Sequence, residues 1–142
     1  MVVAWFTVAG ETVAAAGDQR QMVELPPMMQ EHMLGNMRDH LLALNEVLLM
    51  LAAGDMDQAG QIAENRIGLS SLQLHGASHM APFMPEQMRT IGTDLHKAAS
   101  RFAVVAQDAG VEHSYAAQQK VYGALAEITA RCNACHAAFR IR

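Results

Sequence analysis

Cysteine, basic charge and long apolar runs are all scarce in this chain of 142 residues. Two cysteines cannot build a disulfide framework. Ten basic residues against fourteen acidic ones leave a formal charge of -4, which gives no basic surface for nucleic acid or anionic lipid. Charged residues interrupt every apolar stretch beyond the N-terminus, so no transmembrane span is predicted.

Catalytic sequence motifs are also lacking. No nucleophile and base pair, phosphate-binding glycine loop or paired carboxylate motif stands out, and we therefore do not expect an enzyme. With 51% hydrophobic and 17% charged residues, the chain is long enough for one well-buried core and too short for two. We expect one domain over residues 26–142, preceded by an N-terminal segment over residues 1–25.

The most informative stretch is Cys132-Asn133-Ala134-Cys135-His136, a C-x-x-C-H motif near the C-terminus. In such a motif the two thiols attach to the two vinyl groups of one haem, and the following histidine binds the iron as its proximal ligand. On a helix, Cys132 and His136 are one turn apart and can face the same flat ligand. The motif predicts one covalent haem c, with Cys132 and Cys135 as thioether residues and His136 as axial ligand.

Three other chemistries use similar cysteine spacing. A disulfide between Cys132 and Cys135 is possible in an exported protein. A thioredoxin-like pair needs a strand and a crossover helix around it, and neither pattern is present. Zinc prefers four ligands, whereas this motif offers three and the chain has no second cysteine pair. The C-x-x-C-H pattern is a specific one, and it favours haem c over these three chemistries.

Apolar periodicity predicts four helices and no strand. The first helix is predicted over residues 28–53, the second over 57–75, the third up to Gly110 and the last over 112–139, with a loop over 76–85. Stripes at helical spacing are Met33, Met37, Leu41, Leu44, Leu48 and Leu51 in the first, and Met88, Ile91, Leu95, Ala99, Phe102 and Val105 in the third. In the last helix, Val121, Leu125, Ile128, Cys132, Cys135 and Phe139 continue one stripe. The prediction is an all-α fold, an antiparallel four-helix bundle with the haem near the C-terminal end of the last helix.

A C-x-x-C-H motif at the C-terminal end of an all-helical chain, continuing as Ala137-Ala138-Phe139-Arg140, resembles the class II c-type cytochromes, the cytochrome c prime group. The resemblance implies export to the periplasm. Residues 1–10 are apolar and Ala14-Ala15-Ala16 suits a cleavage site, which favours the remnant of an export signal over residues 1–16, although Glu11 interrupts the apolar run and no Lys or Arg precedes Arg20. The alternative is an ordinary N-terminal helix or strand that packs on the domain.

The same resemblance puts the residue on the distal face of the iron in the first helix. Met37 matches the place where methionine-ligated members carry this ligand, and Met33 is the geometric alternative one turn earlier. His40 is a further candidate for the distal ligand. If it does not bind the iron, we expect it to be a solvent-exposed residue of the helix. A methionine ligand would raise the reduction potential and favour electron transfer, whereas an apolar residue would leave the iron open to small gases. Methionines on such a stripe also serve as flexible core filler.

Three functions therefore stay open. The first is a periplasmic electron carrier with His and Met ligands, a redox partner protein and, as in relatives, possible homodimers. The second is a five-coordinate cytochrome that binds NO or CO. The third is a copper-handling helical protein, since thioethers and imidazoles suit copper.

The family pattern assigns Arg140 a contact with the haem, and Phe139 is expected to pack against the haem edge. The methionine- and histidine-rich set comprises Met28, Met29, His32, Met33, His40, His75, His79, Met80, Met84 and Met88.

Overall fold

The computed structural model describes residues 17–142, so the predicted export signal over residues 1–16 lies outside the described residues. The structure is 79% helical with five helices, in agreement with an all-α fold. No helix in the described part is long and apolar enough to cross a membrane. The helices are α1 Pro27–Ala53, α2 Met56–Arg66, α3 Ala77–Met80, α4 Glu86–Glu112 and α5 Tyr115–Ala138, and short 3-10 turns occupy Leu69–Ser71 and Ala81–Phe83.

Helix α1 has the predicted length, and it buries Met33 and Leu51 of the predicted stripe but not the leucines in the middle of it. It begins at Pro27, where a fixed φ suits the first helical position, and it ends at Gly54, which adopts φ 78°. The predicted core leucines Leu41 and Leu48 are 71% and 52% exposed. The buried face instead carries His40, Ala43, Val47 and Leu51, at steps of three and four residues. Small side chains on this face let α1 pack closely on α2, where leucines would hold the helices apart.

The second predicted helix was too long. Helix α2 ends at Arg66, because Gly68 adopts an extended conformation (φ −66°, ψ −175°) before the 3-10 turn that starts at Leu69. Ser71 Oγ donates a 2.7 Å hydrogen bond to Gly68 O and stabilises this turn. The break changes which side chains face inward. His75 is buried, whereas the apolar side chain of Leu74 is 68% exposed.

The predicted loop over residues 76–85 contains helical turns rather than irregular chain. Gly76 adopts φ 63° and starts α3, and the 3-10 turn Ala81–Phe83 follows directly. Helix α4 runs two residues beyond the predicted end at Gly110 and stops at His113, which has φ 52°. Ser114 then caps α5 by accepting a 3.0 Å hydrogen bond from the backbone N–H of Ala117.

The main core lies between the helices α1, α2, α4 and α5, with α4 packed on both α2 and α5. We call it the alanine-rich core; its fully buried members include Ala43, Val47, Ala59, Ala63, Ile67, Ala98, Ala99, Phe102, Ala106, Val121 and Ile128. At Gly60 an added Cβ would lie 3.0 Å from Ala103 O, so glycine allows α2 to approach the α4 backbone. The core therefore depends on side chains small enough for close helix contact.

Two short strands, absent from the prediction, join the two ends of the described chain. β1 (Gln21–Met22) pairs in parallel with β2 (Phe139–Arg140), with Gln21 opposite Phe139. Val23 N–H extends the pairing by donating a 2.8 Å hydrogen bond to Arg140 O. This contact fixes the chain immediately after the C-x-x-C-H motif.

Candidate functional site

A cavity of about 570 Å³ opens beside the C-terminal part of α5. Its volume lies in the range of roughly 300 to 1,000 Å³ that is usual for small-molecule and cofactor sites. Cys132, Cys135 and His136 all line it. The three residues that the sequence assigned to one ligand therefore border one space large enough for a cofactor.

The two thiols are free and half-buried. Burial raises the pKa of both, and the neighbouring Cys132 adds to the effect at Cys135. Redox-active C-x-x-C pairs and nucleophilic cysteines have lowered pKa values, because the thiolate is the reactive form. The direction of these shifts argues against the thioredoxin-like reading and leaves two protonated thiols at the cavity wall.

Both methionines considered as distal ligands face this cavity. Met33 is buried in a second apolar cluster, which we call the methionine cluster; its buried members are Val23, Met33, Met80, Met88 and Phe139. Met37 is half-buried and packs against the same cluster, as does Cys135. Met80, Met84 and Met88 also line the cavity, so five thioethers surround the space that the motif borders.

Arginine side chains supply most of the charge on the cavity wall. Arg131 and Arg140 line the cavity, and within residues 17–142 the Nε atoms of both are buried without a hydrogen-bond partner. Arg140 Nε lies 3.8 Å from a carboxylate oxygen of Asp18, too far for a hydrogen bond. A buried guanidinium N–H without a partner is costly unless an acceptor is bound, and a carboxylate is the acceptor that suits it best.

A cluster of three histidines forms another part of the wall. His40 from α1, His75 from the turn before α3 and His96 from α4 are each less than a tenth exposed, and all three line the cavity. Their ring centroids lie 4.6 Å apart for His40 and His75, 5.6 Å for His75 and His96, and 6.0 Å for His40 and His96. The prediction of a solvated His40 was therefore wrong, because the buried stripe of α1 includes it.

Hydrogen bonds within this cluster are specific. His96 Nδ1 lies 2.5 Å from Ile67 O, and His75 Nδ1 lies 3.2 Å from Ser71 Oγ. His40 Nε2 is 3.4 Å from His75 Nδ1. Burial, followed by the neighbouring His75 and His96, lowers the pKa of His40 to about 4, and burial lowers that of His75 as well. Both rings are therefore neutral at pH 7.

Two of the three histidines in this cluster were singled out from the sequence. His40 and His75 stand in the methionine- and histidine-rich set, but His96 was not singled out, since a lone histidine on an apolar helix face carries no spacing signal. His32 and His79, from the same set, do not line the cavity. Over residues 17–142 no three or more His, Cys, Asp or Glu side chains form a group that could hold a metal ion.

Comparison of the chain with protein-family models, with curated proteins and with solved structures found no match. Its function must therefore be inferred from the site itself.

Proposed function

We propose that this chain is a c-type cytochrome that carries electrons, with one haem held in the cavity by Cys132, Cys135 and His136. The observation that carries the proposal is that all three residues of the C-x-x-C-H motif border one cavity of cofactor size. We further propose that the helices form an antiparallel four-helix bundle and that the protein works in the periplasm with a redox partner protein. These last points rest on the family resemblance.

The residues of the cavity suit a haem in three respects. Its wall is rich in apolar side chains, which suits a flat macrocycle. The thiols are free, so both could form thioether bonds. The unpartnered Nε atoms of Arg131 and Arg140 could each donate to a propionate, which extends the expected role of Arg140 to a second arginine. When bound, haem would supply a one-electron iron couple.

Met37 is the proposed distal ligand, with Met33 as the alternative. A thioether on the iron would fill the sixth position and raise the reduction potential, and both effects favour electron transfer over gas binding. Methionine side chains dominate the wall near Cys135, where Met33, Met37, Met80 and Met84 belong to or pack on one cluster. In a five-coordinate cytochrome that binds NO or CO, by contrast, none of these thioethers would coordinate the iron.

The test compares Met37→Leu with Met33→Leu in the haem-loaded protein. We expect the parent protein and Met33→Leu to show low-spin optical bands that carbon monoxide leaves unchanged in the reduced form. Met37→Leu should become high-spin and bind carbon monoxide while the haem stays attached. If the parent protein itself is high-spin and binds carbon monoxide, the gas-binding function replaces electron transfer. If only Met33→Leu changes spin state, Met33 is the ligand.

The exposed side of α1 supports a homodimer. Leu41, Leu42, Leu48 and Leu49 are each more than half exposed, and 41/48 and 42/49 are pairs seven residues apart that align along the helix. Exposed apolar patches on one helix face are typical of protein interfaces. Sedimentation of the parent protein against a Leu41→Glu, Leu48→Glu variant tests this point: a dimer that becomes a monomer is expected, and a monomeric parent protein would contradict it.

A further inference from the structure

We propose that His75 and His96 form a binding site for a cuprous ion, completed by a thioether from the cavity wall and oriented by Ser71, His40 and Ile67. The site shares the cavity with the C-x-x-C-H motif but uses none of the residues of that motif, and it does not depend on haem attachment. It takes its two imidazoles from different parts of the chain, one from the turn after α2 and one from α4.

The spacing of the two rings fits one shared ion. Two imidazoles that bind one metal at roughly 2.0 to 2.1 Å in a trigonal or tetrahedral arrangement have ring centroids roughly 5 to 5.5 Å apart. The centroids of His75 and His96 are 5.6 Å apart, and the rings are inclined by 36°. The centroid spacing of this pair is therefore compatible with one shared ion.

The hydrogen bonds fix the tautomer of each ring. Ile67 O can only accept, so His96 Nδ1 carries the proton of the 2.5 Å contact and His96 Nε2 keeps a lone pair. Ser71 Oγ already donates its one proton to Gly68 O, so it accepts from His75 Nδ1–H at 3.2 Å. His75 Nε2 is then also a bare lone pair. It is buried and has no hydrogen-bond partner in residues 17–142.

This arrangement has the form of a metal ligand set. Histidines that bind metals usually donate the other ring N–H to an oxygen atom, which fixes the ring and its tautomer. Both His75 and His96 do so, through a hydroxyl and a backbone carbonyl. His40 Nε2 lies 3.4 Å from His75 Nδ1 and offers the Nδ1–H a second acceptor. Burial also lowers the pKa of His75, so its ring is neutral and able to bind a cation near pH 7.

The neighbouring side chains select the ion. Soft thioether ligands favour Cu(I), and imidazole also binds copper well. Five methionines line the same cavity, and four of them are left when Met37 is assigned to the haem iron. Two imidazoles and one thioether require no third His, Cys, Asp or Glu, in agreement with the absence of such a group from the described residues. Cu(I) is therefore the ion that this set of donors suits.

The experiment titrates Cu(I) without oxygen into the haem-loaded, tag-free protein against a chromogenic cuprous chelator. We expect one bound equivalent. His75→Gln and His96→Gln should each weaken binding by at least a hundredfold. Ser71→Ala should weaken it by roughly ten- to a hundredfold, because it removes an orienting contact and keeps every imidazole. The control is His79→Gln, an exposed histidine outside the cavity, which should bind as the parent protein does.

Two results would overturn the proposal. One is a parent protein that binds no Cu(I), or binds it equally well after His75→Gln and His79→Gln. The other is a change in the spin state of the haem iron in His75→Gln, which would make His75 an iron ligand. If His75→Gln does not fold by circular dichroism, His96→Gln and Ser71→Ala decide the question. If the protein carries no haem at all, the proposed function fails, and the same titration of Cys132→Ala, Cys135→Ala, which has no thiol to bind Cu(I), still tests this site.

Discussion

The alanine-rich core and the cavity wall are built from different side chains in the same helices. In the core, alanines and a few branched residues around Phe102 let α2, α4 and α5 pack closely on one another. Around the cavity, methionines and histidines leave about 570 Å³ open. Small rigid side chains favour close packing, whereas flexible thioethers adapt to a ligand. We therefore expect the alanine-rich core to supply most of the stability and the cavity wall to bind the ligand.

The largest expected effect is at the centre of the alanine-rich core. Phe102 is fully buried there, so Phe102→Ala should lower the free energy of unfolding by about 3 to 5 kcal/mol through lost contacts and a new cavity. Urea unfolding measures this change, and Phe83→Ala is the control because Phe83 is 42% exposed. Similar losses in both variants would contradict the assignment of stability to this core.

The histidine cluster should make stability depend on pH. The pKa of His40 is lowered to about 4 in the folded protein, so between about pH 4 and 6.5 the unfolded chain binds more protons. Stability should therefore be complete above pH 6.5 and fall on acidification through that window, by up to about 3 kcal/mol from this residue. Nearby Asp39 opposes the shift, whereas burial, His75 and His96 produce it.

Unfolding of chelator-treated protein at pH 7 and pH 4.5 measures this loss. Carboxylates also titrate near the lower pH, so the useful quantity is the difference between the parent protein and His40→Gln. A smaller loss of stability in His40→Gln is expected. An identical pH dependence in both proteins would mean that His40 does not titrate as a buried neutral ring.

Two glycines within helices differ in the space around them: Gly60 lies against the α4 backbone, whereas Gly123 faces open space. Gly60→Ala should destabilise the protein by about 1 to 3 kcal/mol, because its Cβ would press on the α4 backbone at Ala103. In the matched change Gly123→Ala the added Cβ meets no atom of residues 17–142 within 4 Å, so it should stabilise α5 by about 0.5 to 1 kcal/mol. Thermal unfolding of the two variants should therefore shift in opposite directions, and a shared direction would be the contrary result.

The smallest expected effect concerns two arginines. Arg66 at the end of α2 pairs with Asp39 and Glu46 of α1 in a half-buried group, whereas Arg101 and Glu127 form an exposed pair. Arg66→Ala should cost about 1 to 2 kcal/mol and Arg101→Ala about 0.5 kcal/mol or less. Raising the salt concentration during unfolding should reduce the loss of stability in Arg101→Ala more than the loss in Arg66→Ala. Equal losses would show that burial of the Arg66 group adds nothing.

The sequence predicted what local pattern determines. The C-x-x-C-H spacing brought Cys132, Cys135 and His136 to attention, and helical periodicity placed α1, α4 and α5 with small errors at their ends. The sequence pattern did not predict the end of α2, because the turn after Arg66 depends on the contact of Ser71 with Gly68. In the middle of α1 the buried face is shifted by one residue from the prediction, to His40, Ala43 and Val47, since leucine-rich periodicity does not reveal that α2 needs small neighbours.

Contacts between distant parts of the chain were the least predictable. His75 meets His40 only because the chain turns after α2, and two residues are too few for β1 to show a strand pattern. Tertiary packing thus determined both the histidine cluster and the strand pair that follows the motif.

The most direct test of the account is the intact mass of the protein, produced in cells that attach haem c and then treated with acidified acetone. The account predicts a mass increase of one haem that survives the extraction, and its loss in Cys132→Ala, Cys135→Ala. A protein that folds in the same cells with no haem, or releases all of it to the solvent, would contradict the assignment of the cavity to haem c.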